Sequence, residues 1–283
     1  MDLQRFQITI IGLGLIGGSM AMALRGFKNA RIIGVDVDPY TLEKALELGV
    51  IDEAYENVDD GVTSSDLVIL CVYPHHIIEI VSKNLNFFKK GSVVSDVCGA
   101  KSHLYKMLGP LIPYDVDYIG IHPMAGKEVD GFENADGRIF YNAGFIITPL
   151  PFTRTESLVL MKELGAHIGS RVTVIDPESH DEIIAYTSDL MHLAATALCM
   201  DFHPAMTSVY TAGAFRDCTR IANINPALWT ELFLLNGDSI LPYLNSYINY
   251  LNRLEQAIGS RDKDQLYRLL EKASINKKEM LKR

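Results

Sequence analysis

Apolar runs of strand length alternate with segments of helical period through the first 175 residues, and then the alternation stops. Runs at 7–11, 31–35, 66–72, 92–95, 117–121, 143–148 and 171–175 predict strands, with a short one within 50–55. Asp38-Pro39 supplies a cap and a first-turn proline, so a helix starts there and ends before Gly49. Further helices are expected over 75–84, 101–108 and 153–167. Residues 126–142 are polar and glycine-bearing, and read as a loop over a site. Strands in alternation with helices predict an open, doubly wound, mostly parallel α/β sheet.

From Asp176-Pro177 onward no strand pattern remains. Apolar residues recur at three and four over 178–202, 205–223, 226–257 and 263–282, which predicts long helices with a core face. The chain therefore divides into an α/β domain, 1–175, and an all-α C-terminal domain, 176–283. The helices carry more apolar surface than a compact tail needs, so a homodimer through them is expected.

The first strand runs directly into Gly12-x-Gly14-x-x-Gly17 and a helix-forming stretch, the strand–turn–helix of a Rossmann-type nucleotide fold. The first glycine permits a tight turn, the second lets backbone approach a pyrophosphate, and the third lets helix and strand pack closely. Asp36 ends the second strand nineteen residues after Gly17, where a carboxylate accepts from ribose hydroxyls and repels a 2′-phosphate. No arginine follows it directly, so NAD is expected rather than NADP. Leu15 and Ile16 within the turn, and Tyr73 and Pro74 after the 66–72 strand, complete the candidate cofactor-binding set.

Composition narrows the field. A length of 283 residues suits two domains, and a net charge of −9 argues against nucleic acid as partner. Four cysteines without C-x-x-C spacing fit reduced thiols in a cytoplasmic protein, and no metal site is expected. The apolar stretch 8–24 is explained by the glycine turn rather than by a leader peptide, and no membrane association is expected.

Hydride transfer also needs a substrate clamp and a group that manages a proton. Candidates fall at GIHPMAGKE (120–128), TSDLMH (187–192) and FRDCTRIANINPALW (215–229). Read by themselves, His122 could simply end a strand and Arg220 could solvate a helix face. His192, among Leu190, Leu193 and Ala194, also suits a hydrogen-bonded core residue.

With GLGLIGGS, the H-P-M-A-G box at His122 and D-x-T-R-I-A at 217–222 followed by Trp229, the chain resembles the prephenate dehydrogenase family from residue 7 to about 257. The resemblance implies NAD-dependent oxidative decarboxylation of prephenate to 4-hydroxyphenylpyruvate, in tyrosine biosynthesis. It implies His122 as the catalytic histidine on the ring hydroxyl and Arg220 as the binder of a substrate carboxylate. By the same resemblance His192 lines the substrate pocket, Glu128 gates or orders it, and Trp229 forms its wall. Three positions depart from the family pattern: Gly99 stands where a serine is usual, Asp189 where the helix motif usually has a first histidine, and Met191 where it usually has a proline. Arogenate, or both substrates, is therefore the alternative, with Asp189 as a partner for an amino group. An NAD-binding sensor without turnover is a third. A neutral His122 is required to accept the proton, so activity is expected to fall as pH drops through its pKa, near ~6.5 if unperturbed.

Overall fold

The computed structural model describes residues 5–201 and 210–280. Its elements are β1 (Gln7–Ile11), α1 (Leu15–Ala23), β2 (Arg31–Val35), α2 (Pro39–Glu47), β3 (Glu53–Tyr55), α3 (Val58–Val62), β4 (Leu67–Leu70), α4 (Pro74–Asn84), β5 (Val93–Asp96), α5 (Ser102–Leu108) and β6 (Asp117–Tyr118). There follow β7 (Gly120–Pro123), β8 (Gly144–Thr148), α6 (Thr155–His167) and β9 (Arg171–Val174). The remaining helices are α7 (Pro177–Ile184), α8 (Leu190–Met200), α9 (Gly213–Thr219), α10 (Pro226–Leu235), α11 (Gly237–Gly259) and α12 (Lys263–Met280).

Six strands form a parallel sheet in the order β3-β2-β1-β4-β5-β6. The order reverses at β1/β4, where an open α/β sheet leaves a crevice beyond its strand ends. The central strands are enclosed on both faces, so their side chains are apolar without alternation: all of Leu67–Leu70 is buried. The sheet separates two helix-covered apolar cores, one around Ile8, Ile10 and Met20, the other around Val68, Leu70 and Leu104. Local chemistry sets the helix starts as expected. Asp38 accepts from the backbone N–H groups of Tyr40 and Thr41 ahead of α2, with Pro39 in the first turn.

The expected single sheet is in fact two. The 117–121 run divides at Ile119, and β7 leaves the parallel sheet to pair antiparallel with β8, which pairs parallel with β9. The cause is local: the Tyr105 hydroxyl lies 2.6 Å from the Gly120 N–H and accepts from it, and the Thr148 hydroxyl donates to the Gly120 carbonyl. The polar segment 126–142 is only partly a loop over a site. Phe132 and Phe140 are buried in the first core, and Asp136 N–H donates to the Ser19 hydroxyl on α1.

The helix expected over 178–202 is two helices joined by a wide turn of π type at Ala185–Asp189; its end at Phe202 lies outside the described residues. The expected 205–223 helix is described only from 210, as α9 and a short 3₁₀ turn at Arg220–Ala222; its start lies outside the described residues. The 226–257 stretch divides at Asn236 into α10 and α11, and the last helix is described to Met280. Two compact units result, 1–236 and 237–283. The second consists of α11 and α12, with Tyr250, Leu251, Tyr267 and Leu270 exposed.

Candidate active site

The glycine turn has the geometry its spacing implies. Gly12 takes φ +85°, and a Cβ there would stand 2.6 Å from the Cys71 carbonyl oxygen. A Cβ on Gly17 would stand 1.8 Å from the Gly12 oxygen, so α1 can approach β1 only without a side chain. Around Gly14, among the described residues, nothing lies within 4 Å of that position. The open position is the one where a pyrophosphate would meet the N-terminus of α1, with Leu15 and Ile16 in its first turn. Asp36 closes the far side: its Oδ2 accepts from Leu13 N–H at 2.7 Å and its Oδ1 from Asp38 N–H at 3.0 Å. These bonds fix the carboxylate and leave lone pairs facing a cavity of about 540 Å³ lined by Gly12, Asp36 and Val37. The residues therefore fit a dinucleotide on chemical grounds. Tyr73 and Pro74 stand at the start of α4, beyond the end of β4, and the Tyr73 hydroxyl accepts from Asn225 Nδ2 at 2.8 Å.

A second cavity, of about 780 Å³, lies against the β7 end and the segments that follow α7. It brings together Gly99, His122, Glu128, Asp189, His192, Arg220 and Trp229, residues far apart in the chain. β7 delivers His122, whose edge facing the cavity runs beside Gly99: a Cβ on Gly99 would lie 3.6–3.7 Å from His122 Cε1 and Nε2. His192 donates from Nδ1–H to the Ser188 carbonyl, 2.9 Å away, so that nitrogen is the protonated one in the neutral ring. Its ring lies on Trp229 with centroids 3.7 Å apart, and Trp229 in turn meets Phe233 at 5.2 Å. Arg220 Nη1 donates to Glu128 Oε1, so the cation faces the cavity already paired with an exposed carboxylate.

Behind the cavity lies a polar cluster that the sequence reading missed. His122 Nδ1 is 2.9 Å from His180 Nε2, and His180 Nδ1 is 2.8 Å from Asp181 Oδ1. Asp181 also accepts from the backbone N–H groups of Lys101 and Ser102, each at 2.8 Å, at the start of α5. Lys101 is wholly enclosed; its Nζ donates to Asp96 Oδ1 and to the Ile121 carbonyl, both at 2.6 Å. The available signal was the adjacent His180-Asp181 pair one turn into a helix capped by Asp176-Pro177.

Burial sets the electrostatics. It lowers His122 well below the usual histidine value, aided by neighbouring His180 and Lys101, so the ordinary value near ~6.5 does not apply. His180 and His192 are lowered as well, again chiefly by burial. Burial tends to raise Asp181, but its bonds from His180, Ser102 and Lys101 win and hold it below the usual carboxylate value. Asp189 accepts from Asn236 Nδ2 at 2.8 Å, yet burial pushes it up to about 6. The Cys98 thiol is pushed up to about 12, which makes it an inert core group.

Comparison with known proteins bears on the same regions. The family model described as the prephenate dehydrogenase nucleotide-binding domain matches residues 20–174, and the one described as the prephenate dehydrogenase dimerization domain matches 176–272. The chain is 31% identical to a cyclohexadienyl dehydrogenase from Zymomonas mobilis, over 92% of this chain and 90% of that protein. It is 29% identical to a prephenate dehydrogenase from Bacillus subtilis, over 96% of this chain and 76% of the relative. Among solved structures, the Aquifex aeolicus prephenate dehydrogenase in complex with hydroxyphenyl propionate and NAD+ superposes with a TM-score of 0.86 at 30% identity, covering 99% of this chain and 100% of that one. Synechocystis arogenate dehydrogenase superposes at 0.80 and 27% identity, covering 97% and 100%.

Proposed function

The chain belongs to the prephenate dehydrogenase family, and on that premise we propose a residue-level account of its reaction. The protein is an NAD-dependent dehydrogenase acting on a small-molecule substrate. The reaction is the oxidative decarboxylation of prephenate to 4-hydroxyphenylpyruvate. One observation carries the assignment of roles: a single cavity holds a half-buried histidine, a cation and an aromatic wall. These are His122, Arg220 and Trp229.

NAD bound at the glycine turn and Asp36 supplies the hydride acceptor. His122 holds the substrate's ring-hydroxyl proton at Nε2 while the carbinol C–H is lost as hydride. When the ring carboxylate leaves as CO2, its bonding electrons aromatise the ring, and His122 returns the proton to the phenolate oxygen. No proton is gained or lost over the cycle. Arg220 takes a substrate carboxylate through its planar fork, exchanging Glu128 for it. His192 and Trp229, their rings tilted by 31°, form an aromatic wall for the substrate ring.

Residues 1–175 are assigned to nucleotide binding, and 176–283 to substrate binding and dimerisation. The ranges of the two matched families support that division, as the exposed apolar residues of α11 and α12 support a homodimer. A cytoplasmic location is the reading that suits four free cysteines and a biosynthetic reaction. Arogenate is the second reading, favoured by Asp189 in the cavity wall. Comparing kcat/KM for prephenate and arogenate with NAD tests the assignment. The expected preference is for prephenate, and a preference for arogenate of tenfold or more transfers the assignment to the second reading.

A further inference from the structure

Gly99 brings no hydroxyl to the edge of His122 that faces the cavity, where a Cβ on that glycine would lie 3.6–3.7 Å from Cε1 and Nε2. Among the described residues, the one hydrogen bond made by the His122 ring is on the other nitrogen, to His180. The direction of that bond decides whether His122 can act as a base, because a neutral imidazole carries one hydrogen on one of its two nitrogens.

The direction follows from the carboxylate end. Asp181 accepts the Lys101 and Ser102 backbone N–H groups and stays ionised, so it also accepts from His180 and fixes the hydrogen of that ring on Nδ1. His180 Nε2 is then a lone pair. It can only accept, so the hydrogen of neutral His122 must sit on Nδ1, pointing at His180. His122 Nε2 is thereby left bare on the edge beside Gly99 and the cavity.

We propose that His180 and Asp181 are positioning residues for the dehydrogenase reaction. Anchored on the N-terminus of α5, they hold His122 in the one tautomer whose cavity-facing nitrogen can accept the substrate's hydroxyl proton. The chain is built for the purpose: His180 is fully enclosed and Asp181 nearly so, and each polar atom along the line has a partner at 2.8–2.9 Å. The same order of carboxylate, imidazole and acting group governs nucleophilic triads, where disturbing the carboxylate leaves the wrong tautomer and costs about 10⁴ in kcat. Here the middle imidazole orients a second imidazole. When His122 takes the proton it becomes imidazolium, and its Nδ1–H bond to His180 is strengthened by the Asp181 charge behind it. The other charged groups around the pair are Lys101, already committed to Asp96, and Asp189, held by Asn236.

This inference rests on the proposed reaction only for its kinetic arm. The primary test is a long-range ¹H–¹⁵N spectrum of the substrate-free, ¹⁵N-histidine-labelled protein, which reports which nitrogen of each ring bears the hydrogen. His122 and His180 are both expected as Nδ1–H, Nε2-bare tautomers near neutral pH, and a His122 ring protonated at Nε2 overturns the proposal whatever the substrate is. The kinetic arm uses His180→Leu, which removes the acceptor, and His180→Gln, whose amide oxygen can still accept from His122. His180→Leu should lower kcat about 10²–10⁴-fold with KM for both substrates within about twofold, and His180→Gln should recover at least tenfold of that loss. A His180→Leu enzyme with kcat within about threefold of normal, or a Gln variant no better than Leu, overturns the proposal. If the unaltered protein turns over neither prephenate nor arogenate while the tautomers are as stated, the reaction assignment fails and the positioning does not.

Discussion

Lys101→Met removes the cation from an ion pair in which both partners are wholly enclosed, and keeps nearly the same shape. Asp96 would retain Tyr118 O–H at 2.7 Å and Cys98 N–H at 2.8 Å, but would lose the ammonium at 2.6 Å. The Ile121 carbonyl would lose the same donor. Removing one partner of a buried pair costs about 3–5 kcal/mol, because the remaining charge keeps its desolvation penalty without compensation. An orphaned carbonyl alone costs about 1–3 kcal/mol, and since one Nζ serves both acceptors the two costs overlap. A loss of about 4 kcal/mol is therefore expected, or about 8–16 °C in the melting temperature of a cooperative unit of this size. Circular dichroism during thermal and urea unfolding reads the change. The double variant Asp96→Asn with Lys101→Met should recover part of it, since no charge then remains buried. Because Ile121 precedes His122, the proposed catalytic histidine, kcat should fall as well. A loss below about 1 kcal/mol would show that the pair is not what ties β5 to β7, and would refute the reasoning.

Asp36→Ser should raise KM for NAD and improve relative use of NADP, and steady-state kinetics with both cofactors will check it; an unaltered enzyme that already prefers NADP sinks the argument from the carboxylate. Arg220→Ala should cost about 1.5–3 kcal/mol in kcat/KM, the worth of hydrogen bonds to a charged group, and Arg220→Lys mainly raise KM, since lysine keeps the charge and loses the fork. Normal turnover by Arg220→Ala would remove that residue from the carboxylate clamp. For pH, His122 must be neutral to act, and its value is depressed by burial. The acid limb of kcat/KM should therefore lie below ~6.5, with full contribution from His122 at neutral pH and loss only as pH falls through the lowered value. A limb at or above that pH is the opposing result.

The nucleotide half was legible in the sequence because its signals are local. A strand, a glycine turn and an acidic residue at the next strand's end each act within about thirty residues. The three glycines even show their separate reasons, with close contacts at Gly12 and Gly17 and open space at Gly14. The division of 117–121 between two sheets was not legible, because periodicity reports which faces are apolar and not which strand lies alongside. The same holds at Ala185–Asp189, where a wide turn keeps helical spacing while shifting the face that reaches the cavity. In the 226–257 stretch the break at Asn236-Gly237 has a tertiary cause: the enclosed Asn236 amide donates to the Asp181 carbonyl and to Asp189. Of the site, His122 and Arg220 were approached through motifs. His180 and Asp181 act across 58 and 80 residues of sequence, through partners that no local pattern names.

This cavity and this nucleotide turn are read together as the device that oxidises and decarboxylates a cyclohexadienyl substrate. The direct measurement is NADH and CO2 production by the purified protein with prephenate, beside a His122→Asn variant. NADH and CO2 are expected in equal amounts, with a product absorbing as 4-hydroxyphenylpyruvate and a loss of about 10²–10⁴-fold in kcat for the variant with NAD binding unchanged. Equal turnover by His122→Asn, or NAD binding without NADH formation from prephenate or arogenate, would contradict it.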